Sequence, residues 1–344
     1  MHDRADENFA PDVAQASSDH GLSLRKTRGT SLFDRRQRSL ISEECPDLAV
    51  SPSIRVLDPS RCHLGEGPSY DPATDTAWWV DILENRLFEL PLSDGAGPAK
   101  LHALPFMASD VAAIDAERQL LSAEDGLYIR TIRDGQLSLF CPLEAEDAGT
   151  RSNDGRVHPS GALWISTMGR DAETGRGAIY HVAGTRVTQL FSGLSIPNGI
   201  AFSPDGATGY FVDTDEGILR RVTLDPATGL PASAPETHYD HSDGEGGIDG
   251  AAVDAEGLIW TARFGGACLD AYSPAGERVR TVSVPARQPT CPTFAGRALD
   301  RLLLTTAYEG MDEAARAEDP EHGRTLLVDI GVRGLLEPAF RLGA

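Results

Sequence analysis

The chain has 344 residues, of which 40% are hydrophobic and 24% are charged, a composition typical of a globular protein. Its formal net charge of −21 would repel phosphate backbones, which argues against a nucleic-acid-binding protein. We expect no membrane span or secretion signal, because no run of about 18 apolar residues occurs and residues 1–10 lack an apolar core.

The five cysteines are scattered without CxxC spacing. This pattern predicts free thiols in a reducing compartment rather than a disulfide framework or a zinc cluster. We therefore expect a cytoplasmic protein. The sequence leaves its oligomeric state open.

Residues 1–50 differ in composition from the rest of the chain. They mix Asp, Ser, Arg and Gln with few aromatic residues and no sustained apolar period. We predict that they form a disordered or loosely attached extension, and that residues 51–344 form one folded domain. The β pattern begins near Ile54.

One local pattern then recurs six times: an apolar residue, a short turn rich in Asp, Pro, Ala or Gly, and an apolar strand. The first residues of the six repeats are Tyr70, Ile114, Val157, Phe202, Val253 and Phe294, spaced by 44, 43, 45, 51 and 41 residues. A period in the forties with strand-like content is typical of β-propeller blades. The sequence therefore predicts an all-β fold, a six-bladed β-propeller.

The ends of the chain should meet in one blade, because an open sheet edge is a liability. The strand near Ile54 would then pair with residues 326–331 or with residues 337–342. The best helical candidate is residues 311–319 (MDEAARAED). The four tryptophans occupy repeated strand positions, which predicts packing between blades.

Four segments at the start of blades depart from the strand-and-turn pattern. They are LGEGP at 64–68, RSNDG at 151–155, IPNGI at 196–200 and GGIDGA at 246–251. Taken singly, each is ordinary turn chemistry. Together they place Glu66, Asn153, Asn198 and Asp249 four residues before the first residue of their repeats, so one register would aim all four side chains into the same channel mouth.

Two carboxylates and a carboxamide oxygen suit a hard divalent cation such as Ca²⁺, Mg²⁺ or Mn²⁺. No His or Cys falls in this register, which argues against a His-rich zinc site. The Asp spacing at 240–249 does not match an EF-hand loop. A G-x-S-x-G nucleophile elbow and a phosphate-binding G-x-x-x-x-G-K-[ST] loop are both missing from the sequence.

The segments LGEGP, RSNDG, IPNGIAFSPDG and GIDGAAVDAEGLIW, in this order, resemble the senescence marker protein/gluconolactonase/regucalcin family of six-bladed propellers. The resemblance covers about residues 54–342 and includes a late stretch at 305–312 (TTAYEGMD). Members of this family are typically lactonases that hydrolyse sugar-acid lactones with one divalent metal.

The resemblance implies that Glu66, Asn198 and Asp249 are metal ligands and that Asp249 is also the catalytic base. It implies substrate contacts for Arg151 and Asn153. The cofactor would be one divalent cation, with Ca²⁺, Zn²⁺, Mg²⁺ and Mn²⁺ all left open. Asp171 lies where some relatives place an acidic substrate-contacting residue and stays unassigned.

The favoured function is hydrolysis of an aldonolactone such as glucono-, galactono-, arabinono- or xylonolactone. Two alternatives remain open. The same metal site could hydrolyse organophosphates or aryl esters, or the protein could be a non-enzymatic calcium-binding regulator.

Overall fold

A computed structural model describes residues 52–92 and 98–343. Its strands form six four-stranded antiparallel sheets, the blades of a β-propeller. The predicted six-bladed fold is therefore confirmed. The predicted extension at residues 1–50 lies outside the described residues.

The strands follow one another along the chain, so that each of the first five blades is one consecutive stretch. Blade 1 contains β2 (Gly65–Asp71), β3 (Thr76–Asp81), β4 (Arg86–Pro91) and β5 (Lys100–Ala103). Blade 2 contains β6 (Ala108–Ala113), β7 (Arg118–Ala123), β8 (Gly126–Thr131) and β9 (Leu137–Pro142). Blade 3 contains β10 (Thr150–Val157), β11 (Leu163–Gly169), β12 (Gly177–Ala183) and β13 (Arg186–Leu194). Blade 4 contains β14 (Pro197–Phe202), β15 (Thr208–Asp213), β16 (Ile218–Thr223) and β17 (Glu236–Asp240). Blade 5 contains β18 (Gly247–Val253), β19 (Ile259–Phe264), β20 (Cys268–Tyr272) and β21 (Arg278–Ser283).

Blade 6 joins the two ends of the fold. It contains β22 (Pro289–Ala295), β23 (Arg301–Thr306), β24 (Thr325–Asp329) and, as its outer strand, β1 (Ser53–Asp58). Val56 pairs with Leu326 in an antiparallel register. The first of the two predicted closures is thus confirmed, and it covers the edge that β24 would otherwise expose.

The innermost strands of the blades enclose a central channel. Each of β2, β6, β10, β14 and β18 contacts the innermost strand of the next blade, and β22 contacts β2. Between neighbouring blades the apolar side chains form the core. Trp164 of blade 3, for example, meets Phe202 of blade 4 edge-on at a ring separation of 5.3 Å, in agreement with the predicted inter-blade packing.

Every innermost strand carries one extra residue relative to its neighbour. In β2 the register passes from Glu66↔Val80 to Ser69↔Trp78, and the other five innermost strands show the same one-residue shift. Such a bulge bends the strand and redirects its side chains. Four of the site residues predicted from sequence lie in or directly beside these bulges, namely Glu66, Asn153, Asn198 and Asp249. The bulges therefore influence where these side chains point, whereas Arg151 precedes the bulge of β10.

The helical candidate is also confirmed. α1 spans Glu313–Glu318, and the Asp312 carboxylate caps it by accepting the N–H of Ala315. Among the described residues, no helix is long and apolar enough to cross a membrane.

Candidate active site

The structure brings all five sequence-predicted site residues to one cavity at the start of the innermost strands. The cavity has a volume of about 440 Å³. Its predicted members are Glu66 from β2, Arg151 and Asn153 from β10, Asn198 from β14 and Asp249 from β18. They belong to four different blades, so only the closed ring can assemble them. Asp171, unassigned from sequence, also lines this cavity.

The orientation of the Asn198 amide follows from its hydrogen bonds. The Thr214 hydroxyl donates to the Ile248 carbonyl at 2.7 Å, so its oxygen is free to act as an acceptor. It accepts the Asn198 Nδ2 at 2.9 Å. The amide nitrogen is thereby held away from the other site residues, and Asn198 Oδ1 is left as the group that faces them. This is the orientation that a cation ligand requires.

Asn153, predicted from sequence as a substrate contact, makes three hydrogen bonds to other groups at the site. Its Nδ2 donates to Asn198 Oδ1 at 2.7 Å and to the Pro197 carbonyl at 3.2 Å. Its Oδ1 accepts from Arg151 Nη1 at 2.9 Å. Both amide donors are engaged in this arrangement, so Asn153 can donate to a substrate only by releasing one of these bonds, while its Oδ1 can still accept a second hydrogen bond.

Arg151 keeps donors available. Its Nη1 bonds to Asn153 Oδ1 and to the Ser152 carbonyl, each at 2.9 Å. Among the described residues, its Nε and Nη2 form no hydrogen bond. Arg151 lines the cavity and is 6% exposed, so these donors can serve a bound hydroxyl or carboxylate.

The carboxylates at the site carry more negative charge than the nearby arginines balance. Burial raises the pKa of Glu66 well above its usual range, and the charges of Asp249 and Asp154 raise it further. Burial likewise raises the pKa of Asp249, with Asp154 as the next cause. Arg151 opposes both shifts, but it is outweighed. Arg170 lines the same cavity and is already paired with Glu124.

A divalent cation fits this donor set. It would bring Glu66 and Asp249 the positive charge that they lack, and Asn198 Oδ1 supplies a neutral third oxygen. Among the described residues, no group of three or more His, Cys, Asp or Glu side chains is placed to hold a metal ion. The candidate site therefore depends on the asparagine as its third ligand, as the sequence register predicts.

Sequence reasoning missed three contributors to the site. Asp154 belongs to an ordinary turn motif, yet its carboxylate accepts the N–H of Ile200 at 2.7 Å, and burial raises its pKa to about 6. Thr214 follows β15 without any motif to mark it. Glu309 lines the cavity, and its signal was present, because it lies in the 305–312 stretch that carries the family resemblance.

The fold and the acidic cavity thus define a six-bladed propeller with a candidate cation site in its channel. Residues 64–308 match the family model described as SMP-30/Gluconolactonase/LRE-like region. The chain belongs to this family, as its motifs predicted.

Three similar proteins place the chain within the family. A protein of Rhizobium meliloti (strain 1021), provisionally named a sugar lactone lactonase, is 53% identical over 290 residues, or 84% of this chain and 98% of its own. A pentonolactonase of Haloferax volcanii is 33% identical over 83% of this chain and 97% of its own. The crystal structure of a protein from Agrobacterium tumefaciens, described as a calcium-binding protein, regucalcin, is 51% identical and has a TM-score of 0.83, covering 84% of this chain and 98% of its own.

Proposed function

We propose that this protein is a hydrolase that opens sugar-acid lactones, with one divalent cation held by Glu66, Asn198 and Asp249. The observation that carries the proposal is that these three side chains meet in one cavity with the Asn198 amide fixed by Thr214. Membership of a family whose relatives include named lactonases supports the choice of reaction.

Asp249 is the proposed general base. Burial raises the pKa of Asp249 in the metal-free protein, whereas a bound cation would favour the ionised carboxylate, the form that can accept a proton. It takes a proton from the attacking water, whose oxygen bonds to the carbonyl carbon. When the ring carbon–oxygen bond breaks, the proton on Asp249 passes to the leaving oxygen, and a hydroxy acid is released. A divalent cation bound beside it would stabilise the negative charge that develops on the carbonyl oxygen.

Arg151 and Asn153 are the proposed substrate contacts. The free donors of Arg151 suit the ring hydroxyls, and Asn153 holds Asn198 while it borders the same space. The cavity volume of about 440 Å³ is in the range of small-molecule sites. The polar side chains of Arg170, Asp171 and Glu309 add partners for hydroxyl groups, which favours a sugar over an apolar ester.

The test is hydrolysis of a lactone panel, followed with a pH indicator. Chelator-stripped protein would be assayed on glucono-, galactono-, arabinono- and xylonolactone with Ca²⁺, Mg²⁺, Mn²⁺ or Zn²⁺ restored in turn. We expect activity on at least one lactone that depends on the added cation. The matched control is Asp300→Asn, which removes an exposed carboxylate outside the cavity and should leave the activity unchanged.

A calcium-binding role without catalysis is the second candidate, favoured by the description of the Agrobacterium relative as a calcium-binding protein. Calcium binding without hydrolysis of any lactone in the panel would select it. An aryl ester and a paraoxon-like organophosphate belong in the same panel, and preference for either would replace the lactone substrate while keeping the site. We also propose a reducing, cytoplasmic location, because Cys62, Cys141, Cys268 and Cys291 are free thiols.

A further inference from the structure

Arg156 lies in the central channel, towards the ends of the innermost strands, whereas the candidate site lies at their starts. It follows Asp154 by two residues on β10, and its side chain is 11% exposed. Its Nη1 donates to Glu337 Oε2 at 2.9 Å, and its Nη2 donates to the Ala251 carbonyl of β18 at 2.7 Å. The same Nη2 lies 3.6 Å from Cys291 Sγ on β22. One guanidinium therefore joins blades 3, 5 and 6 to the C-terminal segment.

The C-terminal segment, residues 330–343, is held at both sides of the channel. Near blade 6, the Gly334 N–H donates to the Leu299 carbonyl at 2.7 Å. Across the channel, the Phe340 N–H donates to the Ala113 carbonyl of blade 2 at 2.8 Å, and the Phe340 ring is 1% exposed. Glu337 lies between these two attachments. The backbone is therefore held on both sides of Glu337, independently of the ion pair with Arg156.

The same segment closes the end of the channel opposite the candidate site. A second cavity of about 290 Å³ is lined there by the last residues of β10, β14, β18 and β22 together with residues 335–338. Both Arg156 and Glu337 border this cavity. The pair thus connects the closing segment to strands whose opposite ends carry the site.

The contact with Ala251 matters because of where Ala251 lies on β18. Asp249 is two residues earlier, inside the bulge where the register shifts between Ile248 and Ala251. A bulge leaves a residue outside the regular ladder, so the direction of its side chain depends on what fixes the strand on each side. Thr214 holds the Ile248 carbonyl before the bulge, and Arg156 holds the Ala251 carbonyl after it.

We propose that Arg156, held in place by Glu337, is a positioning residue for Asp249. By its bond to the Ala251 carbonyl it fixes the backbone that follows the β18 bulge, and it thereby determines the direction of the Asp249 side chain. The catalytic part of this inference rests on the proposed function. The structural part of the inference, that Arg156 and Glu337 hold β18 in place, is independent of the proposed function.

Three variants should lower kcat to different extents. Arg156→Met removes both hydrogen bonds and leaves Glu337 unpaired, so kcat should fall about tenfold or more through misplacement of Asp249, while KM stays within about threefold. Arg156→Lys keeps the charge and can make one of the contacts, so it should recover part of kcat. Glu337→Gln keeps an acceptor for Arg156 and should show the smallest loss. It and Arg156→Lys carry the test if Arg156→Met does not fold.

Hydrogen exchange of the peptide that covers β18 tests, without any substrate, whether Arg156 and Glu337 hold this strand. Exchange there should quicken about tenfold or more in Arg156→Met and less in Glu337→Gln, while β4 and β5 of blade 1 keep their wild-type rates. The matched control is Arg220→Met, which removes an ion pair with Glu216 at the outer part of blade 4 and should change neither β18 exchange nor kcat.

The outcomes separate the two proposals. Unchanged β18 exchange in folded Arg156→Met protein overturns the inference, whether or not the wild type is a lactonase. If that variant does not fold, unchanged exchange in both Arg156→Lys and Glu337→Gln overturns it. Faster exchange with kcat equal to that of Arg220→Met overturns the positioning role. If the wild type opens no lactone but β18 exchanges faster in the variants, the proposed function is wrong and the role of Arg156 and Glu337 in holding β18 is supported.

Discussion

Thr214→Val should weaken binding of the divalent cation without touching any of the three proposed ligands. The Thr214 hydroxyl accepts from Asn198 Nδ2 at 2.9 Å and donates to the Ile248 carbonyl at 2.7 Å. Valine has the same shape but no hydroxyl. The Asn198 amide then loses the acceptor of its Nδ2, so that only the bond from Asn153 Nδ2 to its Oδ1 still orients it. The Ile248 carbonyl beside Asp249 also loses its donor.

The size of the effect follows from these two bonds. Removal of an outer partner of a metal ligand typically costs 10- to 100-fold in affinity, or about 1.4 to 2.7 kcal/mol of binding free energy. The free energy of unfolding should fall by about 1 to 3 kcal/mol, because two polar groups lose their partner. Thr214→Ser is the matched control, since it keeps the hydroxyl and loses only a methyl group.

Calorimetric titration of chelator-stripped protein with Mn²⁺ or Ca²⁺ measures this directly. We expect the dissociation constant of Thr214→Val to rise by about 10- to 100-fold, and that of Thr214→Ser to stay near the wild-type value. Equal affinities of the valine variant and the wild type would refute the reasoning, because Asn198 would then bind the cation without Thr214 to hold its amide.

Three further predictions address the base, the charge of the site and the closure of the ring. Asp249→Asn should lower lactone hydrolysis by about 10²- to 10⁴-fold while circular dichroism shows an intact fold, and near-normal turnover would remove the base assignment. The raised pKa of Glu66 means that the metal-free folded state loses stability as the pH rises through it. In chelating buffer, Glu66→Gln should therefore gain in melting temperature over the wild type as the pH is raised from acidic to alkaline values, whereas saturating cation should make the wild type the more stable. A metal-free wild type that is as stable as the variant in alkaline buffer would contradict this. Deletion of residues 1–58 removes β1, with Ile54, Val56 and Leu57, and should lower the melting temperature by roughly 10 °C. Deletion of residues 1–50 alone should leave it unchanged, and equal losses in the two deletions would argue against closure by β1.

The blades could be predicted from sequence because each one repeats a local signal. A turn rich in Asp, Pro or Gly before an apolar strand recurs at nearly constant spacing, from Tyr70 to Phe294. The closing strand followed from the cost of an open edge. The convergence of Glu66, Asn198 and Asp249 on one cavity also followed, since one register was repeated in several blades.

What could not be predicted depends on contacts between distant parts of the chain. Thr214 lies just after a strand of blade 4, the blade that also carries Asn198, and only the packing of blade 4 against blade 5 brings the Ile248 carbonyl to its hydroxyl. Arg156 and Glu337 are 181 positions apart, and their pairing depends on the path that the C-terminal segment takes across the channel. No local pattern in the sequence encodes that path.

The convergence of three side chains on one cation is tested most directly by anomalous diffraction from crystals grown with Mn²⁺. A single strong peak in the channel, within about 2.0 to 2.6 Å of an oxygen of each of Glu66, Asn198 and Asp249, is the predicted result. A peak bound elsewhere in the protein, with no density between these three residues at saturating Mn²⁺, would contradict it.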